Sequence, residues 1–284
     1  MNLLARSLTG IAVVAVTVIC LLGGFLYSAI LAALLAAFCT AEFVRIVNEG
    51  KEMHILRTTV ILEVLWVCLS VWLFISPGVA GFNRNFAAAV SLFGIIAIMI
   101  DELFRQNESP ILNLGVSLMP IIYIALPFAL LPALGVWCGY ATGSSYNGWL
   151  PLSIFIFIWC NDVGAYCVGC TVGRHRLFPR ISPHKSWEGS IGGAVFTVLA
   201  AILLPRLFPL QFGFFKAWIW IMIAVFTVVF GTFGDLVESM IKREAGIKDS
   251  GRILPGHGGF LDRFDSTLLT VPAVSLLLLF LNLI

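Results

Sequence analysis

Long apolar runs are the feature that most constrains the fold of this chain. Runs of roughly 17 to 25 residues recur from end to end, and each is long enough to cross the core of a bilayer. Charged residues make up 11% of the chain, against about 25% in a typical soluble domain, and the mean hydropathy is +1.01. A water-soluble fold is therefore nearly excluded, and the sequence predicts an all-α, polytopic transmembrane protein.

Breaks at Gly, Pro and charged residues divide the chain into about nine predicted spans. They lie near 8–24, 25–47, 58–75, 85–104, 110–135, 148–170, 187–208, 215–241 and 264–284. The first division rests on Gly23 and Gly24 alone, which would also suit one bent hairpin. The first run follows Arg6 like a signal peptide, but a second run follows without a convincing cleavage site, so we expect an uncleaved span. Residues 1–135 form a predicted N-terminal helical region and 136–284 a C-terminal catalytic region of one membrane domain.

The basic residues are distributed unequally between the two sides of this nine-span arrangement. Fourteen share one side: Arg6, Arg45, Lys51, Arg57, Arg105, Arg174, Arg176, Arg180, Lys185, Lys242, Arg243, Lys248, Arg252 and Arg263. Three fall on the other: Arg84, Arg206 and Lys216. By the positive-inside rule the N-terminus and the two long polar loops are cytoplasmic and the C-terminus is outside. We expect the inner membrane as the location. The net charge of +2 is too small to indicate partners.

Acidic residues follow the basic ones. The carboxylates in or beside the two polar loops are Asp162, Glu188, Asp235, Glu238, Glu244, Asp249, Asp262 and Asp265. A carboxylate near hydrocarbon is costly and usually has a partner, a metal or a water-filled cavity. The clustering therefore predicts a functional site at this membrane surface.

The first polar constellation begins inside the sixth span. It comprises Asn161-Asp162-Val163-Gly164-Ala165-Tyr166, Gly169, Arg174-His175-Arg176 and Ser182-Pro183-His184-Lys185-Ser186-Trp187-Glu188-Gly189. Gly164 and Gly169 would let neighbouring backbones approach closely, and Ser186 could cap the next helix with Glu188 in its first turn. Taken alone, it could equally comprise a packing contact, a snorkelling lysine and a capping charge.

The second constellation favours a functional interpretation of both. It comprises Gly231, Gly234-Asp235-Leu236-Val237-Glu238-Ser239, Lys242-Arg243, Lys248-Asp249 and the run from Pro255 to Asp265. Helical spacing puts Asp235, Glu238 or Ser239, and Lys242 on one face. The turn Gly256-His257-Gly258-Gly259 could direct backbone N–H groups at a phosphate.

These residue types indicate phosphoryl or nucleotidyl transfer. Mg²⁺ prefers carboxylate, water and phosphate oxygens and usually takes one or two protein carboxylates, a role that Asp235 and Asp262 could fill. Lysines and arginines around such an ion neutralise polyphosphate. The seven cysteines lie mostly in apolar runs, and Cys167-x-x-Cys170 has no second pair or histidine at zinc-finger spacing, so we expect neither disulfides nor a zinc site.

The second constellation resembles the signature of CDP-diacylglycerol synthases. The matching residues are Ser239-x-Ile241-Lys242-Arg243, Lys248-Asp249-x-Gly251 and Leu254-Pro255-x-His257-Gly258-Gly259-Phe260-x-Asp262-Arg263-Phe264-Asp265, with Asn161-Asp162-x-Gly164-Ala165-Tyr166 and Ser182-Pro183-x-Lys185-Ser186-Trp187-Glu188-Gly189 upstream. Val163 stands where that family often has a small hydroxyl residue and His184 where it often has Lys. The N-terminal half carries no assignable motif.

The resemblance implies an integral membrane enzyme, a phosphatidate cytidylyltransferase, that joins CTP to phosphatidic acid and releases pyrophosphate. It also implies a Mg²⁺ requirement, a possible second, monovalent cation such as K⁺, and a homodimer. No nucleic-acid partner is expected. Rival interpretations are a CTP-dependent lipid-alcohol kinase and a secondary transporter, but the full C-terminal match argues against the first and the one-sided charge against the second. The D-G-x-x-A-R opening of CDP-alcohol phosphatidyltransferases is absent from the sequence.

Roles follow for the polar residues in this interpretation. We expect catalytic roles for Asp162, Lys185, Asp235, Lys242, Arg243, Lys248, Asp249, His257, Asp262 and Arg263. We expect substrate contacts from Asn161, Lys185, Ser239, Lys242, Arg243, Lys248, Gly258, Gly259 and Arg263. The expected metal ligands are Asp162, Asp235 and Asp262.

Overall fold

The chain folds into a bundle of long helices with one short β-hairpin. The structure is a computed structural model that describes residues 3–49, 55–75, 84–105, 109–251 and 258–284. Its elements are α1 (Leu3–Leu22), α2 (Phe25–Glu49), α3 (Arg57–Ile75), α4 (Arg84–Arg105), α5 (Pro110–Pro120), a π-helix (Ile121–Ala125), α6 (Leu126–Ala141), α7 (Trp149–Val172), β1 (Arg176–Phe178), β2 (Ser182–Ser186), α8 (Trp187–Leu207), α9 (Pro209–Phe212), α10 (Ala217–Glu244) and α11 (Leu261–Phe280).

Seven helical segments of the described chain are long and apolar enough to cross a membrane. They are Phe25–Glu49, Arg57–Ile75, Pro110–Ala141, Trp149–Val172, Trp187–Leu207, Ala217–Glu244 and Leu261–Phe280. This confirms a polytopic membrane protein. Helices α1 and α4 coincide with the other two predicted spans, but the apolar part of α1 covers only Ser7–Leu22. The count of nine spans therefore stays a prediction, as does the orientation of the N-terminus.

The segment Pro110–Ala141 contains a π-helical turn in its middle. Pro120 and Pro127 flank this turn, and each removes a backbone donor from the helical ladder. The turn buries Tyr123 without ending the span. One apolar run in the sequence therefore corresponds to two α-helices joined without a loop.

Large apolar side chains from distant parts of the sequence form one buried core. Phe43 of α2, Phe128 of α6, Phe155 and Phe157 of α7 and Trp220 of α10 are all at most 2% exposed. This core combines residues from both sides of the predicted boundary at 135/136, and the division into two regions stays a prediction. The outward faces of α1, α4 and α8 are also rich in exposed Leu, Ile and Phe, as expected for lipid-facing surfaces.

Four helices and the hairpin meet at one end of the bundle. Helix α7 packs along α8, and α10 packs along both α8 and α11, so that the ends of α7 and α10 lie beside the starts of α8 and α11. The hairpin of β1 and β2, in which Arg176 pairs with Ser186 and Phe178 with Ser182, connects α7 to α8 and adds a small β-element to the predicted all-α fold. The two polar constellations are thereby brought to the same end.

Candidate active site

Glycines bring α7 and α8 into close contact. A Cβ on Gly164 would collide with the side chain of Phe196 and approach the Cα of Gly193, and a Cβ on Gly189 would approach the Cα of Gly169. The predicted close approach of backbones at Gly164 and Gly169 is thus confirmed. It draws the polar end of α7 against the first turns of α8.

The start of α8 is fixed by two side chains of its own first turn. The Ser186 hydroxyl accepts a hydrogen bond from the Gly189 N–H at 3.2 Å, which confirms the predicted cap. The Glu188 carboxylate accepts the N–H groups of Arg174 and His175, both at 3.1 Å, and its other oxygen lies 2.5 Å from the His175 ring. Glu188 therefore ties the hairpin to α8 and fixes the position of β2.

The first polar cluster is formed around Asp235 of α10. Lys185 of β2 places its ammonium 2.6 Å from the Asp235 carboxylate, and the Ser239 hydroxyl donates to the same carboxylate at 3.2 Å. Asp162 of α7 and Asp265 of α11 both lie close enough to interact electrostatically with Asp235. Arg263 of α11 also interacts with Asp162, so three carboxylates face two basic side chains here, an arrangement that leaves room for a cation.

A cavity of about 580 Å³ opens beside this cluster between α7, α8, α10 and the hairpin. Its wall includes Asp162 and Asp235 together with three basic side chains of the hairpin, Arg176, His184 and Lys185. Cations and carboxylates thus line a space large enough for a charged small molecule.

A smaller cavity of about 180 Å³ lies between α1, α7 and α11. Apolar side chains such as Val13, Val14 and Trp159 form most of its wall, and Asp162 and Arg263 form its polar end. Asp162 also lines the larger cavity, so this residue borders both cavities.

The second polar cluster is formed around Lys242 of α10. Its ammonium lies 2.5 Å from Glu238 and 2.7 Å from Asp262, and its side chain is only 12% exposed. The other oxygen of Asp262 accepts the N–H groups of Ser250 at 2.9 Å and Gly259 at 3.0 Å. Lys242 and Asp262 are therefore fixed by each other, and in this structure neither is directed at open solvent.

Glycine is required at the described end of the Gly-rich turn. Gly258 has φ of +84°, a conformation that favours glycine, and a Cβ there would collide with the Asp262 carboxylate. The Gly259 N–H, one of the expected phosphate donors, is bonded to Asp262 in this structure. Of the remaining predicted site residues, His257 lies outside the described residues.

The other predicted site residues lie around the two clusters. Arg243 donates to the carbonyls of Ile181 at 3.5 Å and Ile247 at 3.2 Å, and so connects α10 to the hairpin. Lys248 and Asp249 are exposed beyond the end of α10, directly before Ser250, whose N–H donates to Asp262. Asn161 lines the larger cavity together with Asp162.

Three acidic residues of the site had no individual role in the sequence-based prediction, although Glu238 and Asp265 belonged to the predicted cluster of carboxylates. Asp265 lies one turn after Asp262, and Glu238 one turn after Asp235, so helical spacing held a signal for both. Glu42 of α2 is also part of the site, because it bonds to the residues that flank Asp262. Nothing in its sequence surroundings indicated this contact.

The expected metal ligands are distributed over both clusters. Asp162 and Asp235 belong to the first cluster and Asp262 to the second. Among the described residues, no group of three or more His, Cys, Asp or Glu side chains is arranged to hold a metal ion by itself. A site completed by substrate phosphates needs only one or two protein carboxylates, and the first cluster supplies them.

Fold and site together define an integral membrane protein with a cation- and phosphate-compatible site at one end of its helix bundle. The chain belongs to the cytidylyltransferase family, whose model matches residues 4–281. Similar curated proteins are named phosphatidate cytidylyltransferase. The one from Staphylococcus saprophyticus is 34% identical and covers 96% of this chain and 98% of its own length, and one from Staphylococcus epidermidis is 32% identical with the same coverage. One from Staphylococcus haemolyticus is 37% identical over 66% of this chain and 68% of its own.

Proposed function

We propose that this protein is a phosphatidate cytidylyltransferase that transfers CMP from CTP to phosphatidic acid, giving CDP-diacylglycerol and pyrophosphate. The observation that carries the proposal is the family match along nearly the whole chain, together with relatives of this name that are 32% and 34% identical over 96% of it. The chemistry of the site supports it, since cations and carboxylates line one cavity, and Asp162 also borders a second, largely apolar cavity in a membrane protein.

The reaction requires positioning more than proton transfer. An oxygen of the phosphatidate phosphate attacks the α-phosphorus of CTP in line, a new P–O bond forms, and the bond from the α-phosphorus to the pyrophosphate oxygen breaks. The nucleophile is already anionic, so a general base contributes little. The protein's task is to hold two anions together and to neutralise the charge that develops on the leaving group.

Each cavity suits one substrate. The larger cavity, with Arg176 and Lys185 on its wall, has cations that a nucleotide polyphosphate needs. The smaller cavity, whose wall combines apolar side chains and threonines with Asp162 and Arg263, suits the phosphate and the first part of the acyl chains of a lipid. The two phosphates would then meet beside Asp162, which lines both cavities.

Mg²⁺ is part of this proposal. Asp235 would hold it, with Asp162 beside it and Asp262 available if Lys242 moves to a phosphate, and a monovalent cation such as K⁺ could occupy a neighbouring position. When bound, the ion would supply charge neutralisation at the phosphates. Asp235→Asn keeps the shape and removes the charge, so we expect loss of activity in a folded protein and weaker Mn²⁺ binding by paramagnetic resonance. Unchanged Mn²⁺ binding would reject Asp235 as a ligand.

We further propose an inner-membrane enzyme with its site facing the cytoplasm, where CTP is made, and a homodimeric assembly. The one-sided distribution of basic residues supports the orientation. The dimer rests on the family resemblance alone, and light scattering of the detergent-purified protein tests it. A monomeric mass for active protein would reject it.

Product identification tests the activity. Purified protein incubated with CTP, phosphatidic acid and Mg²⁺ should give CDP-diacylglycerol and pyrophosphate in equal amounts. A lipid-alcohol kinase would instead need an alcohol substrate and release CDP. Release of CDP with a newly phosphorylated lipid would therefore contradict the proposal.

A further inference from the structure

Glu42 is a buried carboxylate that joins the N-terminal half of the chain to the site. It lies in the last part of α2 and is 3% exposed. Its two oxygens accept hydrogen bonds from the Leu261 N–H at 2.8 Å, the Phe260 N–H at 3.1 Å and the Ser250 hydroxyl at 2.9 Å. One side chain therefore binds both described ends of the segment that connects α10 to α11.

The backbone of that segment packs directly on the Glu42 carboxylate. A Cβ on Gly251 or on Gly259 would collide with it, so only glycine allows this approach at either position. One turn earlier in α2, the Phe38 ring stacks on the Phe260 ring, with centroids 4.7 Å apart. Helix α2 therefore packs closely against the start of α11 through both Glu42 and Phe38.

Ser250 connects Glu42 to Asp262. The Ser250 hydroxyl donates a hydrogen bond to Glu42 and accepts one from the Asp262 N–H at 3.3 Å, while the Ser250 N–H donates to the Asp262 carboxylate at 2.9 Å. Three backbone N–H groups at the start of α11 are satisfied in this way, two by Glu42 and one by Ser250. The position of the Asp262 carboxylate therefore depends on Glu42.

We propose that Glu42 is a positioning residue for catalysis, which fixes Asp262 and, through it, the Lys242 ammonium. An ionised carboxylate suits this place because it only accepts hydrogen bonds, and all three partners of Glu42 are donors. A glutamine there would direct an NH₂ group at one of these donors. The inference rests on the proposed cytidylyltransferase activity.

Two variants and a control test this role. Glu42→Gln removes the charge, and Ser250→Ala removes only the link from Glu42 to Asp262. The control is Glu49→Gln on the same helix, where the carboxylate is about half exposed and pairs with Arg45. Because small displacements of catalytic groups can cost about 100-fold in rate, we expect kcat to fall by roughly that factor in Glu42→Gln and by less in Ser250→Ala. KM for both substrates should stay nearly constant, and Glu42→Asp should recover part of the rate.

Amide hydrogen exchange gives a readout that does not need activity. Exchange at Phe260 and Leu261 should be faster in Glu42→Gln than in Glu49→Gln, with α7 and α8 unaffected. If Glu42→Gln does not fold, the kcat and the exchange rates of Ser250→Ala test the positioning role instead. Folded variants with wild-type kcat and exchange would overturn the inference. A wild-type protein that makes no CDP-diacylglycerol would instead refute the proposed activity. The exchange rates at Phe260 and Leu261 would then be the test of whether Glu42 holds the start of α11.

Discussion

Lys185 is the residue whose contacts most clearly separate a catalytic role from a structural one. A lysine that only anchored the hairpin at the membrane surface would extend its ammonium to water. Lys185 instead contacts Asp235, on the wall of the larger cavity. It lies where it can neutralise a phosphate of CTP.

We expect Lys185→Ala to lower kcat by about 100-fold, since removing one electrostatic contact to the transition state typically has an effect of this size. Trp187→Phe is the matched control, because Trp187 is close by, 56% exposed and aromatic in both forms. Steady-state kinetics in detergent gives kcat and both KM values. Wild-type values for Lys185→Ala would make the lysine a surface anchor.

Residues joined by local contacts could be predicted from the sequence. The Ser186 cap and the Glu238–Lys242 pair lie within one turn of helix, where spacing alone sets the geometry. Asp265 was placed in the predicted cluster without a role of its own, and Glu42 was not predicted at all. A contact such as Glu42 to Leu261, 219 positions apart, depends on how whole helices pack, and no periodic pattern in the sequence carries it.

At the scale of elements, the contact between α7 and α8 determines the width of the larger cavity. We expect Gly164→Ala to force these helices apart, because the new Cβ would meet Phe196 and Gly193. The expected result is a lower Tm together with loss of activity. Gly115→Ala in α5 is the control, since a Cβ there meets nothing within 4 Å, and alanine in a helix gains about 0.5 to 1 kcal/mol over glycine. Equal Tm values for both variants would contradict the proposed tight packing.

A substitution in α1 tests whether the smaller cavity binds the lipid substrate. Val13→Trp should fill part of this cavity and raise the KM for phosphatidic acid several-fold, while the KM for CTP stays constant. Val16→Trp, on an exposed position of the same helix, is the matched control. If Val13→Trp raised the KM for CTP instead, the two substrates would have to be exchanged between the cavities.

The long helices were largely predictable, and the hairpin was not. Apolar runs bounded by Gly, Pro and charges located α7, α8 and α10 to within three residues at each end. The hairpin has only three residues in β1 and five in β2, and its strands carry polar residues without alternation. Its shape comes from the Glu188 contacts and from Arg243, which are tertiary.

At the scale of the whole molecule, the orientation in the membrane follows from the charge distribution. We expect reporter fusions at the N-terminus to be cytoplasmic and fusions at Ile284 to be external, because fourteen of the 17 basic residues share one side of the nine-span arrangement. A cytoplasmic signal at Ile284 would mean an even number of spans. That result would indicate that α1 or α4 does not cross the membrane, since neither is among the seven segments of sufficient length and apolarity.

The fate of the CTP phosphates distinguishes transfer of CMP to phosphatidic acid at this site from every other use of the nucleotide. Purified protein in phosphatidate-containing vesicles receives CTP labelled either at the α- or at the γ-phosphate, with Asp235→Asn as the inactive control. The α-label should appear in the lipid fraction and the γ-label in pyrophosphate. Transfer of the γ-label to lipid, or α-label transfer that persists at the wild-type rate in Asp235→Asn, would contradict the account.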